Sequence, residues 1–336
     1  MKILRTITEF GQLPARCVLT VGNFDGVHIG HQEIIAVGLQ IAAERNTRLV
    51  VMTFEPHPVA ILHPDKAPGV LTPLEYKAHL LAEAGVDYLI VLKDTASLLK
   101  LSPADFVDKF LVSDVKPAVI AEGDDFNFGA ARAGNIDTLR KMAAKNSFEL
   151  VVVPARLTQL ATGQKVRVSS TTIRYMLEAG HVADAADLLG RPYILAEKII
   201  PGRGRGKQLG FPTLNLQIPR QVIPAEDVYA GWVSLGDDLG HTFDAKQRLK
   251  AVFSIGQART FGDETPLLIE AHLLKNDIPE TSGKWMAMEF VRRIRSQHKF
   301  KTPDDLARQI QKDCEKAKEI LNRAAHKPAH IGNRSS

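Results

Sequence analysis

The sequence predicts a two-part chain: a doubly wound α/β domain with a Rossmann-like parallel sheet, followed by a small antiparallel β-barrel with a C-terminal helix. Three observations predict it. Through the first half, short apolar β-branched runs alternate with helix-period segments, as strands buried on both faces of a parallel sheet do. From about residue 190 the runs become strand-like throughout, separated by Gly- and Pro-containing loops, with no helix-length amphipathic segment until Thr302. The length of 336 residues suits about two cores, and 45% hydrophobic with 24% charged residues excludes wholesale disorder or a fibrous repeat.

In chain order, the first-half strand candidates are Val18 to Val21, Leu49 to Thr53, Tyr88 to Leu92, Ala118 to Ala121 and Leu150 to Val153. Thr72-Pro73-Leu74-Glu75 and Ser102-Pro103-Ala104-Asp105 read as helix starts, each with an N-cap hydroxyl, a proline at the first helical position and an acid at the third. Gly190-Arg191-Pro192 follows a short helical segment, Val182 to Leu189, and marks the change of pattern. The barrel candidates are Tyr193 to Ile200, Asp227 to Leu235, Leu249 to Ile255, Leu267 to Leu274 and Met286 to Val291. Thr302-Pro303-Asp304-Asp305 then caps a helix with Leu306, Ile310, Cys314, Ala317 and Leu321 on one face, expected to close the side of the barrel. These signals place domains at 1–186 and 187–325, with a basic, polar, disordered tail at 326–336.

The formal charge is +5, and it is uneven: residues 1–189 carry a net −2 and residues 190–336 a net +7. A basic second half admits nucleic acid or polyanionic small molecules as partners. Two distant cysteines, Cys17 and Cys314, exclude a disulfide scaffold or a cysteine-rich zinc site and fit a reducing compartment. There is no signal-peptide core and no apolar run of membrane-spanning length, so the expectation is a cytoplasmic protein without a membrane partner.

In doubly wound sheets, ligands bind beyond the carboxyl ends of the strands. After the first strand candidate comes Gly22-Asn23-Phe24-Asp25-Gly26-Val27-His28-Ile29-Gly30-His31, leading into a helix. Glycines let a turn approach a phosphate chain, a helix N-terminus offers free N–H groups, and histidines one turn apart can both donate to phosphate oxygens. The glycine spacing is not a dinucleotide fingerprint. The second strand ends in Thr53-Phe54-Glu55-Pro56-His57-Pro58, and a zinc site built on the three histidines lacks an evident fourth ligand. The fourth runs into Gly123-Asp124-Asp125-Phe126-Asn127-Phe128-Gly129, and Val168-Ser169-Ser170-Thr171-Thr172-Ile173-Arg174 opens a further helix. Ser169 to Thr171 taken alone read as an ordinary N-cap; Arg174 adds the guanidinium that would make an anion site.

These four phrases, in this order, closely resemble the adenylyltransferase module of prokaryotic bifunctional riboflavin kinase/FAD synthetases. The resemblance implies transfer of AMP from ATP to FMN, with His28, His31 and Asn23 on the triphosphate beside Gly22, Asp25, Gly26 and Gly30. It implies Ser169, Ser170, Thr171 and Arg174 on its far side, and Phe54, His57, Asp125, Phe126 and Phe128 around the flavin. Asn135 stands where that family commonly has Asp.

In the second half the strongest run is Gly202-Arg203-Gly204-Arg205-Gly206-Lys207-Gln208-Leu209-Gly210-Phe211-Pro212-Thr213-Leu214-Asn215. Pro201 and Gln208 exclude a Walker loop, and the lack of aromatic interleaving argues against an RGG-like nucleic-acid segment. The run resembles the riboflavin kinase module. By that resemblance Gly202, Gly204, Gly206 and Lys207 cover ATP phosphates, Thr213 and Asn215 help place Mg²⁺ brought with ATP, Glu270 is the base, and Arg295 belongs to the closing segment near the flavin. From spacing alone Glu270 is an outward-facing strand residue. Departures from the family pattern fall at Ser254, Arg259, Lys275-Asn276 and Ser282. The expected activities are ATP-dependent phosphorylation of riboflavin to FMN and adenylylation of FMN to FAD, with ATP, riboflavin, FMN and FAD as partners and no nucleic acid. The alternative is an FAD synthetase whose barrel has lost kinase activity.

Overall fold

Strands without a polar face need helices on both sides. In the computed structural model, which describes residues 1–92, 95–243, 248–257, 266–275, 281 and 283–324, the first half meets that need. Strands β1 (Lys2–Leu4), β2 (Val18–Val21), β3 (Leu49–Phe54), β4 (Tyr88–Leu92), β5 (Val119–Gly123) and β6 (Glu149–Val153) form one parallel sheet in the order β1-β4-β3-β2-β5-β6. One face packs Leu19, Met52 and Ile120 against Phe106 and Phe110 of a π-type helix (Phe106–Val115). The other packs Val18, Val51 and Val119 against Ile35 of α1 (Ile29–Glu44) and Leu80 of α2 (Leu74–Glu83). Five of the strands stand where the sequence puts them, to within two residues. The edge strand β1, three residues long and only partly apolar, does not announce itself.

The strand order reverses at β2. Its pairing with β5 spans only Val18 with Val119 and Leu19 with Ile120. Beyond that point the backbone ladder stops and the buried Glu122 carboxyl accepts the Val21 N–H at 2.6 Å; the carboxyl ends of these two strands mark the topological switch, where doubly wound sheets bind ligands.

Two of the expected helix starts differ. Thr72 does not cap α2: the cap is Pro73, and the Thr72 hydroxyl instead accepts the Gly26 N–H at 3.1 Å. Ser102 does cap, accepting the Asp105 N–H at 3.0 Å, but its helix runs one turn before widening into the π-type segment. Asn135 caps α3 (Ile136–Ala143) by accepting the Thr138 N–H, work that Asn and Asp perform equally well.

Helices α4 (Ser170–Glu178) and α5 (Val182–Leu189) then carry the chain over to a closed antiparallel barrel. It comprises β7 (Tyr193–Ile200), β8 (Leu214–Leu216), β9 (Asp227–Gly236), β10 (Leu249–Gln257), β11 (Leu267–Leu273) and β12 (Trp285–Ser296), ordered β7-β8-β11-β10-β9-β12. Its core of Leu195, Phe253, Ile269 and Phe290 is continuous with Ile173 and Leu188 of the connecting helices. Position 187 lies inside α5, which ends at the left-handed Gly190. The final helix, α6 (Pro303–Ala324), lays Cys314, Ala317 and Leu321 on Val228, Ala230 and Ile294 of the outer barrel wall, as its periodicity requires. Residues 259–261, 276, 282 and the tail 326–336 lie outside the described residues.

Candidate active sites

The ends of β2 and β3 and two helix N-termini meet on one turn. The chain leaves β2 at Gly22 and enters α1 through His28, whose Nδ1 accepts the His31 N–H at 3.2 Å and so caps the helix. Between them Phe24, Gly26 and Val27 hold left-handed φ of 46°, 88° and 40°. At Gly26 glycine is required twice over, since an added Cβ would also lie 3.0 Å from Leu71. The N-terminus of α4 abuts the same turn: Ser170 Oγ donates to Asp25 O at 2.8 Å, and Ser169 caps the helix through the Thr172 N–H at 3.1 Å.

Three expectations for this site change. The Asp25 carboxylate, 3% exposed, accepts the Leu71 and Thr72 N–H groups and pairs with Arg174, so it has no face left for a phosphate. Arg174 in turn donates Nε to Gly69 O at 2.8 Å; the pair clasps α4 to the loop before α2 rather than forming an open anion site. Of the three hydroxyls, only Thr171 is exposed and makes no hydrogen bond among the described residues, whereas Ser169 is the plain N-cap.

The histidines do share a face. Their rings stack with centroids 3.6 Å apart. They are not cations, however: burial, reinforced by Arg191 and Arg174, brings His28 down to about 3, and burial with the neighbouring charges holds His31 well below the ordinary imidazole range. His31 Nδ1 is buried without a hydrogen-bond partner among the described residues. With Nδ1 of His28 accepting, its proton sits on Nε2. Beside them the Asn23 carboxamide lies 3.2 Å from His57 Nε2, and His57 Nδ1 caps a short helix through Val59 N–H. Burial also depresses His57.

Phe54 ends β3, half-buried. At the end of β5, Asp125 is exposed and pairs with Arg167 at 3.0 Å. Phe126 stacks on Phe128 with centroids 5.6 Å apart, but Phe128 is a core residue, 5% exposed and packed on Phe106; only Phe126 of the two is accessible at this edge.

Sequence reasoning missed two buried cations at this turn. Lys77, on α2, reads as the polar side of an amphipathic helix, and Arg191 as a linker residue. Burial draws Lys77 below the usual lysine range.

The second cluster stands on the outer wall of the barrel. Asn215 on β8 faces Glu270 on β11 in register, and Ser254 on β10 faces Glu270 from the other side. Thr213 Oγ1 donates to Glu270 Oε1 at 3.1 Å. The glycine-rich loop folds down on these groups. An added Cβ at Gly202 would lie 2.2 Å from Asn215 Nδ2, and one at Gly206 3.3 Å from Thr213 Oγ1. That cover makes an outward-facing strand carboxylate a half-buried one, and burial raises its pKa against the opposing pull of Thr213 and Arg203. Gly204 and Lys207 are exposed on the loop, which contains an unexpected helical turn at Arg205–Gln208. His272, two residues beyond Glu270, reaches Pro212 O through Nδ1 at 2.8 Å and braces the Thr213 segment; nothing in the spacing singled it out. Arg295 departs from expectation. Its guanidinium is bidentate to the buried Asp313 of α6 at 2.7 to 3.0 Å, tying helix to wall rather than facing a flavin.

Two family descriptions match the chain: FAD synthetase over residues 11–172 and riboflavin kinase over residues 189–321. Among curated relatives, the bifunctional riboflavin kinase/FMN adenylyltransferase of Escherichia coli (strain K12) is 35% identical over 323 residues, 96% of this chain and 98% of that protein. The protein of the same description from Bacillus subtilis (strain 168) is 34% identical over 90% of this chain and 92% of its own length. A solved structure titled as a macrolide-efflux protein from Streptococcus pneumoniae aligns with a TM-score of 0.79 at 27% identity, covering 94% of this chain and 98% of that one. Among the described residues here, no helix is long and apolar enough to cross a membrane.

Proposed function

The chain belongs to the bifunctional riboflavin kinase/FMN adenylyltransferase family, and from that premise we propose how its two clusters divide the work. The parallel-sheet domain, 1–186, adenylylates FMN; the barrel domain, 187–325, phosphorylates riboflavin. ATP and flavins are substrates in both. The observation that carries this reading is the presence in one chain of two separate clusters, a strained turn at the switch point of the sheet and a glycine loop lying on Thr213, Asn215 and Glu270.

In the first site the FMN phosphate, already anionic, attacks the α-phosphorus of ATP and pyrophosphate leaves, so no general base is required. The protein aligns the two phosphates and stabilises charge on the departing group. The N–H groups opening α1, Thr171, the Asn23 carboxamide and the neutral N–H groups of His28 and His31 are the donors for that. Asp25 and Arg174 hold the parts together. Phe54, His57, Asp125 and Phe126 bound the flavin side.

In the second site the nucleophile is a ribityl hydroxyl, which must lose a proton as its oxygen attacks the γ-phosphorus and ADP departs. Glu270 takes that proton. Burial raises its basicity, and among the described residues one carboxylate oxygen holds Thr213 while the other has no hydrogen bond. Thr213 and Asn215 present the oxygen donors that a hard cation such as Mg²⁺ prefers, and the ion would supply charge neutralisation at the ATP phosphates. Cys17 and Cys314 are both buried free thiols, which suits the cytoplasm. The test is the fate of label: α-labelled ATP with FMN should mark FAD, and γ-labelled ATP with riboflavin should mark FMN. Absence of either product from the purified full chain contradicts the corresponding assignment.

A further inference from the structure

We propose that Lys77 and Arg191 are positioning residues for adenylyl transfer, two buried cations that grip the backbone of the glycine turn at its two ends and hold it in its left-handed shape. The inference rests on the assignment of FMN adenylylation to that turn. Lys77 Nζ donates to Asn23 O at 2.8 Å and lies 3.3 Å from Thr53 Oγ1. Arg191, 8% exposed and just past the end of α5, donates to Gly26 O at 2.7 Å and to Val27 O at 3.3 Å. Its other contacts are Leu189 O at 3.3 Å and Tyr76 OH at 3.1 Å, with the guanidinium 5.4 Å from the centre of the Tyr76 ring. Asn23 and Val27 are thus the two ends of the segment whose Phe24, Gly26 and Val27 are left-handed. Non-glycine residues stay in such conformations only where their surroundings over-determine them. The carbonyls at both ends of this segment are the ones the cations hold.

Both cations share a second property. Every acceptor just named is neutral, and among the described residues neither side chain forms an ion pair. Asp25 and Glu55 are the acidic groups whose charge reaches Lys77, both from beyond ion-pair distance. A buried cation held by carbonyls and hydroxyls, with no carboxylate in direct contact, keeps much of its positive potential for an anion at the same turn. The histidines next to the turn stay neutral, in part because of these same charges. Lys77 and Arg191 therefore carry positive potential to the place where pyrophosphate departs, acting through the turn rather than on the reacting atoms. Arg191 arrives from the barrel side of the chain. A second strap does too: Gln221 Nε2 donates to Leu71 O at 3.2 Å and Val222 N to Val70 O at 2.9 Å, bracing the loop that holds Asp25.

The experiment measures kcat and KM for FAD formation from FMN, and for FMN formation from riboflavin, in the full-length enzyme carrying Lys77→Met, Lys77→Arg, Arg191→Met or Arg191→Lys. Misplacing the turn should lower kcat for FAD about 100-fold in each Met variant, with KM for FMN changed less than about threefold and riboflavin phosphorylation within about twofold of wild type. Lys77→Arg and Arg191→Lys keep the charge with altered reach and should recover about tenfold of the loss. The proposal is overturned if a Met variant keeps its kcat, or if both activities fall together and the conservative variants recover nothing, which is the pattern of a merely structural role. A wild-type enzyme that makes no FAD from FMN would instead overturn the assignment of the turn on which the proposal rests.

Discussion

Gly202 is where the glycine loop touches the barrel wall, and Gly202→Ala measures how much that contact matters. An added Cβ would sit 2.2 Å from Asn215 Nδ2 and 2.9 Å from its Cγ. Restoring an ordinary separation of about 3.5 Å takes a shift of about 1 Å. Asn215 is buried opposite Glu270, so either the loop lifts or the Asn215 carboxamide is pushed out of its place beside Glu270, and both disturb the same site. A displacement of that size at a reacting centre costs about 100-fold in rate, or about 2.7 kcal/mol of barrier. Gly204→Ala is the matched control: a Cβ there meets nothing within 4 Å, although φ is 71°. Its cost is left-handed strain of about 1 kcal/mol, without a block on the site. The assay is FMN formed from riboflavin with MgATP, against FAD formed from FMN in the same preparation. Gly202→Ala should lose kinase activity about 100-fold and keep adenylyl transfer, while Gly204→Ala keeps most of both. Kinase activity in Gly202→Ala within about threefold of wild type would refute the idea that the loop must lie on Asn215.

Glu270→Gln removes the proposed base and should lower riboflavin phosphorylation by about 100- to 10,000-fold while FAD formation from FMN continues; an undiminished rate removes Glu270 from that role. Arg295→Met leaves the buried Asp313 carboxylate unpaired and should destabilise the barrel by about 3–5 kcal/mol, seen as a lower denaturant midpoint, with Arg295→Met/Asp313→Leu recovering most of it; equal loss in the double variant would mean the pair does not hold α6. Because His28 is depressed to about 3 in the fold and returns to about 6.5 on unfolding, the unfolded chain binds the extra proton between those values. Stability should therefore fall as pH drops from about 6.5 towards 3, by about 1.4 kcal/mol per pH unit for this group, and an unchanged slope in His28→Gln would contradict it.

The architecture was legible because buried parallel strands and barrel strands advertise themselves, the first by uninterrupted apolar runs and the second by regular turn signals. The elements that escaped are short: β1 has three residues, and β8 is Leu-Asn-Leu, too brief for its alternation to be read although it carries Asn215. The chemistry was legible only in part. His28 and His31 do come together on the turn after β2, and Thr213 does meet Glu270. Which of the candidates remain open to a ligand was hidden, since Asp25, Arg174 and Arg295 each find a buried partner far away in sequence. Phe128 could not be told from Phe126 until the packing on Phe106 was known. Lys77 and Arg191 were invisible for the same reason in reverse. A lysine on an amphipathic helix and an arginine after a helix-ending glycine look solvated, and only tertiary contacts bury them.

The central claim is that two independent phosphate-transfer sites share this chain, and one mixing experiment tests it directly. His31→Ala should make FMN from riboflavin but little FAD, and Glu270→Gln should make FAD from FMN but little FMN from riboflavin. Combining the two variants with riboflavin and MgATP should restore FAD. If either variant loses both activities, or if the mixture makes no FAD from riboflavin, the two sites are not the separate centres described.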